Sequence, residues 1–345
     1  MKIILNAYNN HNGGGKVLLG QVLDAIDELG YTCSCYVDTR YIIKRDYRQI
    51  SFTAVDHNIL SRVRAEIMIS NESSGCEFLL SLTNLPPLMK VNCPVFIFLQ
   101  NLYLIDTSVK VSLNLKIRLR LLVERFWFLF FKSKNYSYVV QTETMKQKLI
   151  KLLGDEYSIH KKGFFNFPEK RLSEKKREGF LYVASIYPHK NHMNLLKAWS
   201  LLKENSFNEK LILVIDRVLP EGMREFIEKN EINVEILQDL SHQQVLELYM
   251  SSRVLIFPSL FESFGLPLLE AAALGLPVLA SNANYVKDII VPTQLFDPLD
   301  PKSIKEAVLG LSDIPLPASS CGKVVSSVRF MCFLAEITKS NEVLK

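Results

Sequence analysis

The chain contains 345 residues, about twice the length of a typical domain, which predicts two globular units. Its apolar fraction of 48% and charged fraction of 22% are ordinary for a globular protein and exclude a disordered or fibrous one. The net charge of +5 is too small for a nucleic-acid-binding surface, so no nucleic acid partner is expected, but it suits a phosphate-bearing ligand or an anionic membrane surface.

The N-terminus and the cysteines indicate the compartment. A short apolar run from Ile3 to Leu5 gives way to polar residues, which is typical of a first strand and not of a signal peptide. No stretch approaches the roughly 18 apolar residues that span a bilayer. The six cysteines are scattered and form no C-x-x-C pair, which favours free thiols in a reducing compartment. We therefore expect a cytoplasmic protein.

Residues 1–168 alternate short apolar runs with amphipathic ones and form the predicted first domain. The apolar periodicity of residues 16–29 predicts its first helix. Strands separated by helices favour βαβ units around a parallel sheet. The predicted strands are residues 2–6, 34–37, 67–69, 78–82, 95–99 and 138–141.

The charged stretch EKRLSEKKRE, residues 169–178, predicts a linker between two domains. A second alternating series follows it over residues 179–324. Two doubly wound sheets in succession leave a cleft between them, and such folds bind ligands at the carboxyl ends of their strands. The predicted strands are residues 180–185, 210–215, 234–237, 254–258 and 277–280, and the predicted helices are residues 192–203, 221–230, 241–251, 266–274 and, beyond this series, 325–337.

One segment, residues 257–281, carries most of the predicted chemistry and reads FPSLFESFGLPLLEAAALGLPVLAS. Its strand ends at Pro258, a loop follows, and Pro267 lies in the first turn of a helix, where proline is favoured. That helix is apolar almost all round, which predicts burial, and Glu270 is its one charge. A buried carboxylate is costly unless it is hydrogen-bonded, and ligand hydroxyl groups would supply those bonds.

The start of the same helix is predicted to bind an anion, because backbone N–H groups and the positive end of the helix dipole favour phosphate. The anion site is therefore flanked by two carboxylates, Glu262 and Glu270, and this combination suits a nucleotide sugar. The predicted N–H donors belong to Ser263, Phe264, Gly265 and Leu266.

This segment resembles the hallmark of the retaining glycosyltransferases of family 4, the group 1 glycosyltransferases, in which P-S precedes E-x7-E. Glu262 and Glu270 have this spacing. The resemblance implies the α/β GT-B fold, with two Rossmann-like doubly wound domains facing a central cleft. It also implies that residues 325–345 cross back to the first domain. By resemblance, Glu262 contacts the hydroxyls of the donor sugar and Glu270 contacts the hydroxyls of the donor ribose.

Residues 180–199 resemble the start of the second domain in this family. Lys190 aligns with the family lysine that binds the donor phosphates, where a cation would stabilise charge on the leaving diphosphate by several kcal/mol. The family usually has an arginine where this chain has Ser185, so a charge-assisted hydrogen bond of about 1.5–3 kcal/mol is missing. Ser185 stays a candidate for donor binding, and His189 and Asn191 are the nearest residues to replace the arginine.

Two further candidates lie in the first domain. The loop NHNGGGK, residues 10–16, contains Gly14 and Gly15, and its glycines allow close approach to a ligand. Its spacing fits neither the dinucleotide fingerprint nor the P-loop. The resemblance implies donor phosphates or the acceptor as its ligand, and an ordinary turn is the alternative. Gln100 and Asn101 end another strand and are predicted to hydrogen-bond the donor or acceptor, although neither can act as a general base.

No metal or other cofactor is expected, because the sequence contains no D-x-D and its histidines lack ligand spacing. Residues 115–134, LKIRLRLLVERFWFLFFKSK, combine six basic residues with an aromatic block. Such a stretch could lie on an anionic bilayer at the inner face of the plasma membrane, which suits a lipid-linked acceptor. The alternative is a helix that packs its aromatics into the first domain, and the resemblance favours peripheral attachment.

The resemblance predicts a retaining glycosyltransferase that moves a sugar from a nucleotide-diphosphate-sugar donor to a glycan or lipid-linked acceptor in surface polysaccharide biosynthesis. Two alternatives stay open. One is another GT-B enzyme, such as a nucleotide-sugar epimerase or a phosphorylase. The other is an inert nucleotide-sugar-binding protein, which Ser185 favours.

Overall fold

The computed structural model describes residues 1–106, 115–167, 177–311, 319–322 and 324–343, with side chains to residue 340. The chain divides into two compact units, the first comprising residues 1–166 and 324–345 and the second residues 167–323. Of the predicted linker 169–178, only the last two residues lie within the described part of the chain.

The first unit is built on a seven-stranded sheet with the order β3-β2-β1-β4-β5-β6-β7, in which every pair is parallel. Its central strands are buried and read as apolar runs, as expected for a sheet covered on both faces. The elements are β1 (Lys2–Ala7), α1 (Gly13–Glu28), β2 (Thr32–Asp38), β3 (Ile50–Val55), α2 (Ile59–Glu72), β4 (Phe78–Ser81), β5 (Val95–Leu99), α3 (Leu102–Ile105), α4 (Leu115–Phe131), β6 (Tyr136–Val140), α5 (Glu143–Leu153) and β7 (Ser158–Lys161).

The second unit repeats this arrangement with a six-stranded parallel sheet in the order β10-β9-β8-β11-β12-β14. Strands β13 and β15 form a separate antiparallel pair. The elements are β8 (Phe180–Val183), α6 (His192–Lys203), β9 (Leu211–Ile215), α7 (Glu221–Lys229), β10 (Val234–Gln238), α8 (His242–Ser251), β11 (Val254–Phe257), α9 (Leu266–Ala273), β12 (Val278–Ser281), α10 (Asn284–Ile289), β13 (Ile290–Val291), β14 (Gln294–Phe296), α11 (Pro301–Leu309) and β15 (Ser320–Cys321).

The C-terminal helix α12 (Ser327–Val343) belongs to the first unit, where it packs against α1. Its Phe330 ring stacks on Phe164 with a centroid separation of 4.4 Å. The Asn166 side chain accepts a hydrogen bond from the Ser327 N–H at 2.8 Å and so caps the start of the helix. These contacts bury an aromatic cluster beside the edge of the first sheet.

Most predicted elements are confirmed, and the α/β class with two parallel sheets holds. The predicted strand 67–69 is wrong, because these residues lie inside α2 and continue its amphipathic pattern. Two edge strands of the first sheet, β3 and β7, were not predicted. Both have polar or half-exposed residues in place of a clear apolar run.

Candidate functional site

The strand order of the second sheet reverses between β8 and β11, which lie side by side. At such a switch point the loops that follow the two strands diverge and leave a crevice for a ligand. Lys190 follows β8 and Glu262 follows β11, so both predicted catalytic residues lie at this edge.

The structure joins these two residues in an ion pair. The Lys190 Nζ lies 2.5 Å from the Glu262 Oε1, and the two side chains are only 17% and 11% exposed. Their loops are also tied together, because the Leu260 N–H donates to the His189 carbonyl at 2.8 Å. The Tyr182 hydroxyl donates to the Lys190 carbonyl at 2.6 Å. A cation and a carboxylate are therefore fixed next to each other at the carboxyl ends of the two central strands, β8 and β11.

Helix α9 begins directly after the Glu262 loop. Its N-cap, Gly265, has a φ of +71°, a conformation that favours glycine, and an added Cβ would lie 3.2 Å from the Leu268 Cδ1. The chain can therefore turn sharply into the helix, which places the backbone of residues 263–266 at the carboxyl end of β11. Phe264 and Leu266 pack their side chains into the core, so these two residues can offer a ligand only their backbone.

Glu270 lies one turn into α9 and is 5% exposed. Its carboxylate accepts two hydrogen bonds from the neighbouring helix α8. The His242 Nε2 lies 2.8 Å from Oε1, and the Tyr249 hydroxyl donates to Oε2 at 3.0 Å. The prediction of a buried carboxylate that needs partners is confirmed, but two of its partners are protein groups that sequence reasoning missed.

A signal for these two residues exists in the sequence. Ser241 and Gln244 form a capping box that starts α8 at His242. Tyr249 follows seven residues later and therefore lies on the same face, two turns along the helix. Helix α8 starts at the carboxyl edge of the sheet and carries a histidine and a tyrosine on one face. Such a pair can hydrogen-bond a polar side chain on an adjacent helix.

The loop between β8 and α6 contains the two residues considered as replacements for the family arginine. The His189 ring is stacked on Phe261 at 4.7 Å and on Tyr187 at 5.9 Å. Burial lowers the pKa of His189 to about 4, so its imidazole is neutral at pH 7. The Asn191 Nδ2 donates to the carbonyls of Pro258 and Pro298 at 3.1 and 2.6 Å. Neither side chain brings a positive charge to this loop.

A cation that sequence reasoning missed lies against the same loop. The Arg217 guanidinium lies 4.7 Å from the centroid of the Tyr187 ring. Arg217 follows β9 and is paired with Asp216 at 2.7 Å, and Asp216 accepts the Ile186 N–H at 2.8 Å. Arg217 is thus fixed beside the loop that contains Ser185.

In the first unit, the predicted glycine loop is partly helical. Helix α1 begins at Gly13, so Gly14 and Gly15 belong to its first turn and not to a loop, which corrects the prediction. A Cβ on Gly15 would lie 2.9 Å from the Asn10 Nδ2 and 3.7 Å from the Gln100 Oε1. The carboxyl ends of β1 and β5 therefore bring Gly15, Asn10 and Gln100 together.

Asn84 organises the loop after β5. Its Oδ1 accepts hydrogen bonds from the N–H groups of Gln100 and Asn101, the latter at 2.9 Å. The Gln100 Nε2 lies 3.5 Å from the Leu82 carbonyl, and the Asn101 Oδ1 caps α3 by accepting the Tyr103 N–H at 3.1 Å. The Asn101 side chain thus stabilises the start of α3, while the Gln100 side chain extends towards Gly15.

Helix α4 divides the aromatic block of residues 115–134 between two environments. Phe128 is fully buried and packs edge-on against Tyr138, and the Trp127 Nε1 donates to the Pro86 carbonyl at 2.9 Å. Phe126 and Phe130 are 68% and 69% exposed and stack on each other. The opposite face thus carries an exposed apolar stripe, which consists of Leu115, Leu119, Leu122, Val123, Phe126, Leu129 and Phe130.

Within the described ranges, no helix is both long enough and apolar enough to cross a bilayer. The same part of the chain holds no group of three or more His, Cys, Asp or Glu side chains that could bind a metal ion. The absence of a cofactor stays a prediction.

Comparison with known proteins adds four findings. A family model described as glycosyl transferases group 1 matches residues 164–339, just over half of the chain. The chain is 31% identical over 140 residues to O-antigen chain mannosyltransferase B of Escherichia coli, covering 37% of this chain and 35% of that protein. It is 28% identical over 167 residues to O-antigen chain mannosyltransferase RfbU of Salmonella typhimurium, covering 46% of each.

The matches thus span less than half the length of these two relatives. Among solved structures, HepE of Anabaena in complex with UDP and glucose is similar, with a TM-score of 0.66 and 13% identity over 90% of both chains. At this identity the likeness supports the fold alone.

Proposed function

Because the chain belongs to the group 1 family of glycosyl transferases, we propose that it transfers a hexose from a nucleotide-diphosphate-sugar donor to a glycan or lipid-linked acceptor. A role in O-antigen or related surface polysaccharide biosynthesis is part of this proposal, since both relatives named above are O-antigen chain mannosyltransferases. Mannose is therefore the first sugar to test.

The observation that carries the proposal is the edge of the second sheet, where the Lys190–Glu262 pair lies at the switch point and Glu270 lies one turn into α9. A diphosphate at this edge would meet the Lys190 cation and the backbone at the start of α9. Glu262 would orient the donor sugar and Glu270 would anchor the ribose. Arg217, fixed on Tyr187, would supply the second cation in place of the arginine that Ser185 replaces.

The proposed mechanism retains the anomeric configuration and uses no metal ion. The bond between the sugar carbon and the leaving phosphate oxygen breaks through an oxocarbenium-like transition state. On the face from which the diphosphate leaves, the departing oxygen takes the proton of the acceptor hydroxyl, and the acceptor oxygen forms the new bond to the sugar carbon. Lys190 stabilises the negative charge that develops on the departing oxygen, and this is the step at which a fixed cation has its largest effect.

The proposed function is tested by incubating the protein with GDP-mannose or UDP-glucose and identifying the products by mass analysis. We expect release of the nucleoside diphosphate above the uncatalysed rate, and a mannosylated or glucosylated product when a lipid-linked glycan is added. An isomerised nucleotide sugar would identify an epimerase, and a sugar phosphate formed with free phosphate would identify a phosphorylase. Binding of the donor without any turnover would identify an inert binding protein.

We also propose that α4 attaches the protein to an anionic membrane surface, where a lipid-linked acceptor would be found. The exposed apolar stripe of this helix is accompanied by exposed basic residues on the same helix, Lys116, Arg118 and Arg120. An apolar face that enters the acyl boundary, together with cations that meet anionic headgroups, is typical of an interfacial helix.

Replacing both Phe126 and Phe130 by Asp should weaken binding to phosphatidylglycerol vesicles by about tenfold or more, since each buried phenyl ring contributes about 1.5–3 kcal/mol. Sedimentation with the vesicles measures the bound fraction. Leu299→Asp is the matched control, because Leu299 is 68% exposed in the second unit and lies outside the stripe. Equal binding of the double variant and the wild type would contradict the proposed membrane surface.

A further inference from the structure

Two side chains of the neighbouring helix α8 form hydrogen bonds with the Glu270 carboxylate. Tyr249 of α8, which is fully buried, donates to Oε2, and the His242 Nε2 contacts Oε1. Burial and the nearby Glu270 carboxylate raise the pKa of Tyr249 well above its usual value, so its hydroxyl stays protonated and remains a donor. His242 is fixed as the first residue of α8 by the Ser241–Gln244 capping box.

His242 and Tyr249 together restrict the orientation of the Glu270 carboxylate. A carboxylate can accept about four hydrogen bonds, and His242 and Tyr249 use one position on each oxygen. A contact to each oxygen fixes the plane of the carboxylate and leaves it one further acceptor position per oxygen. A vicinal diol donates two hydrogen bonds at a matching spacing, and the 2′- and 3′-hydroxyls of a ribose are such a diol.

A second buried glutamate, Glu66 of the first unit, provides a comparison. Glu66, 2% exposed, accepts from the Asn6 Nδ2, the Tyr8 hydroxyl and the Leu88 N–H at 3.2, 3.0 and 2.8 Å. Glu270 differs because one of its donors, His242, has a side chain that is 42% exposed. One end of the Glu270 hydrogen-bond network therefore opens to solvent, where a ligand can enter.

Building on the proposed function, we propose that Tyr249 and His242 are positioning residues that orient Glu270 towards the ribose diol of the donor. They thereby set the preference of the site for a ribonucleotide over a 2′-deoxyribonucleotide. Tyr249 acts from the buried side and fixes Oε2. His242 acts from the solvent side and fixes Oε1 beside the place where the ribose docks.

The test compares the dissociation constants of UDP, GDP and ADP with those of their 2′-deoxy counterparts, using calorimetry on the full chain. For the nucleotide that binds best, we expect the ribose preference of the wild type to fall about fivefold or more in Tyr249→Phe, because a hydrogen bond to a charged group is lost. Tyr8→Phe is the matched control, since it removes the same kind of bond from Glu66. It should lower stability without changing the ribose preference.

A second variant, His242→Gln, keeps a donor at the exposed position and should retain more of the ribose preference than His242→Ala. An unchanged ribose preference in both Tyr249→Phe and His242→Ala, with tight binding intact, would overturn the positioning role and leave the proposed function standing. Failure of the wild type to bind any of the three nucleotides would instead refute the proposed function, and the positioning role with it.

Discussion

Replacing Lys190 by methionine should lower the kcat of sugar transfer by about 10²- to 10³-fold or more, the usual effect of losing one fixed group that stabilises developing charge. Methionine keeps the length of the lysine stem but removes the cation that lies 2.5 Å from Glu262. The departing diphosphate then gains negative charge without a cation fixed beside it. Initial rates with saturating donor measure the effect.

Loss of Lys190 also leaves Glu262 without its ion pair, and this could lower activity through stability alone. The double variant Lys190→Met with Glu262→Gln tests the stability effect, because it removes the pair without leaving a lone charge. We expect it to unfold at a higher denaturant concentration than the single variant and to stay inactive. Recovery of transfer in the double variant would show that Lys190 only balances Glu262.

Lys203→Met is the matched control for the same experiment. Lys203 forms an ion pair of similar length with Glu231 in the same unit, at 2.6 Å, but both side chains are well exposed. Exposed pairs contribute little, about 0–1 kcal/mol, so this variant should keep wild-type rates and nearly wild-type stability. A comparable loss of activity in Lys203→Met would point to a general effect of net charge and against a specific role for Lys190.

The fold could be predicted largely from local patterns. A strand such as β5 is buried on both faces and therefore appears as a continuous apolar run, and its predicted bounds are those observed. Residues 67–69 form a run of the same kind, but they lie in α2, where Ile69 is buried while Ile67 and Met68 are exposed. Three residues are too few to distinguish the helical period from the strand period. The edge strand β3 has a mixed, half-exposed pattern because only one neighbour pairs with it.

The candidate site was predictable in its parts but not in its contacts. Glu262 and Glu270 are separated by only a loop and one helix turn, so their spacing can be read from a single segment of the sequence. The Lys190–Glu262 pair joins residues 72 positions apart, and the Tyr249–Glu270 bond joins residues 21 apart. Both contacts depend on the order of parallel strands, which periodicity alone does not determine. The same is true of Arg217, whose position beside Tyr187 follows from the pairing of β8 with β9.

The second large effect is expected for Glu270→Gln, which should lower the affinity for the nucleoside diphosphate by about tenfold or more and kcat/KM by a larger factor. The substitution keeps the size of the side chain, and the Tyr249 hydroxyl can still donate to the amide oxygen. The charge is lost, however, and hydrogen bonds to a charged acceptor contribute about 1.5–3 kcal/mol. An anchored ribose also positions the sugar for attack, so transfer suffers more than binding.

Glu66→Gln separates the loss of a ligand contact from the loss of a buried charge. Glu66 matches Glu270 in burial and in its tyrosine partner but belongs to helix α2 of the first unit. Asn6 and Tyr8 donate to one oxygen of Glu66 and the Leu88 N–H donates to the other, so the amide of Glu66→Gln places a donor against a donor and should lower stability by about 1–3 kcal/mol. Calorimetry with the nucleoside diphosphate should give wild-type affinity for Glu66→Gln and weakened affinity for Glu270→Gln. Equal affinities in the two variants would mean that Glu270, like Glu66, serves only the packing of its own unit.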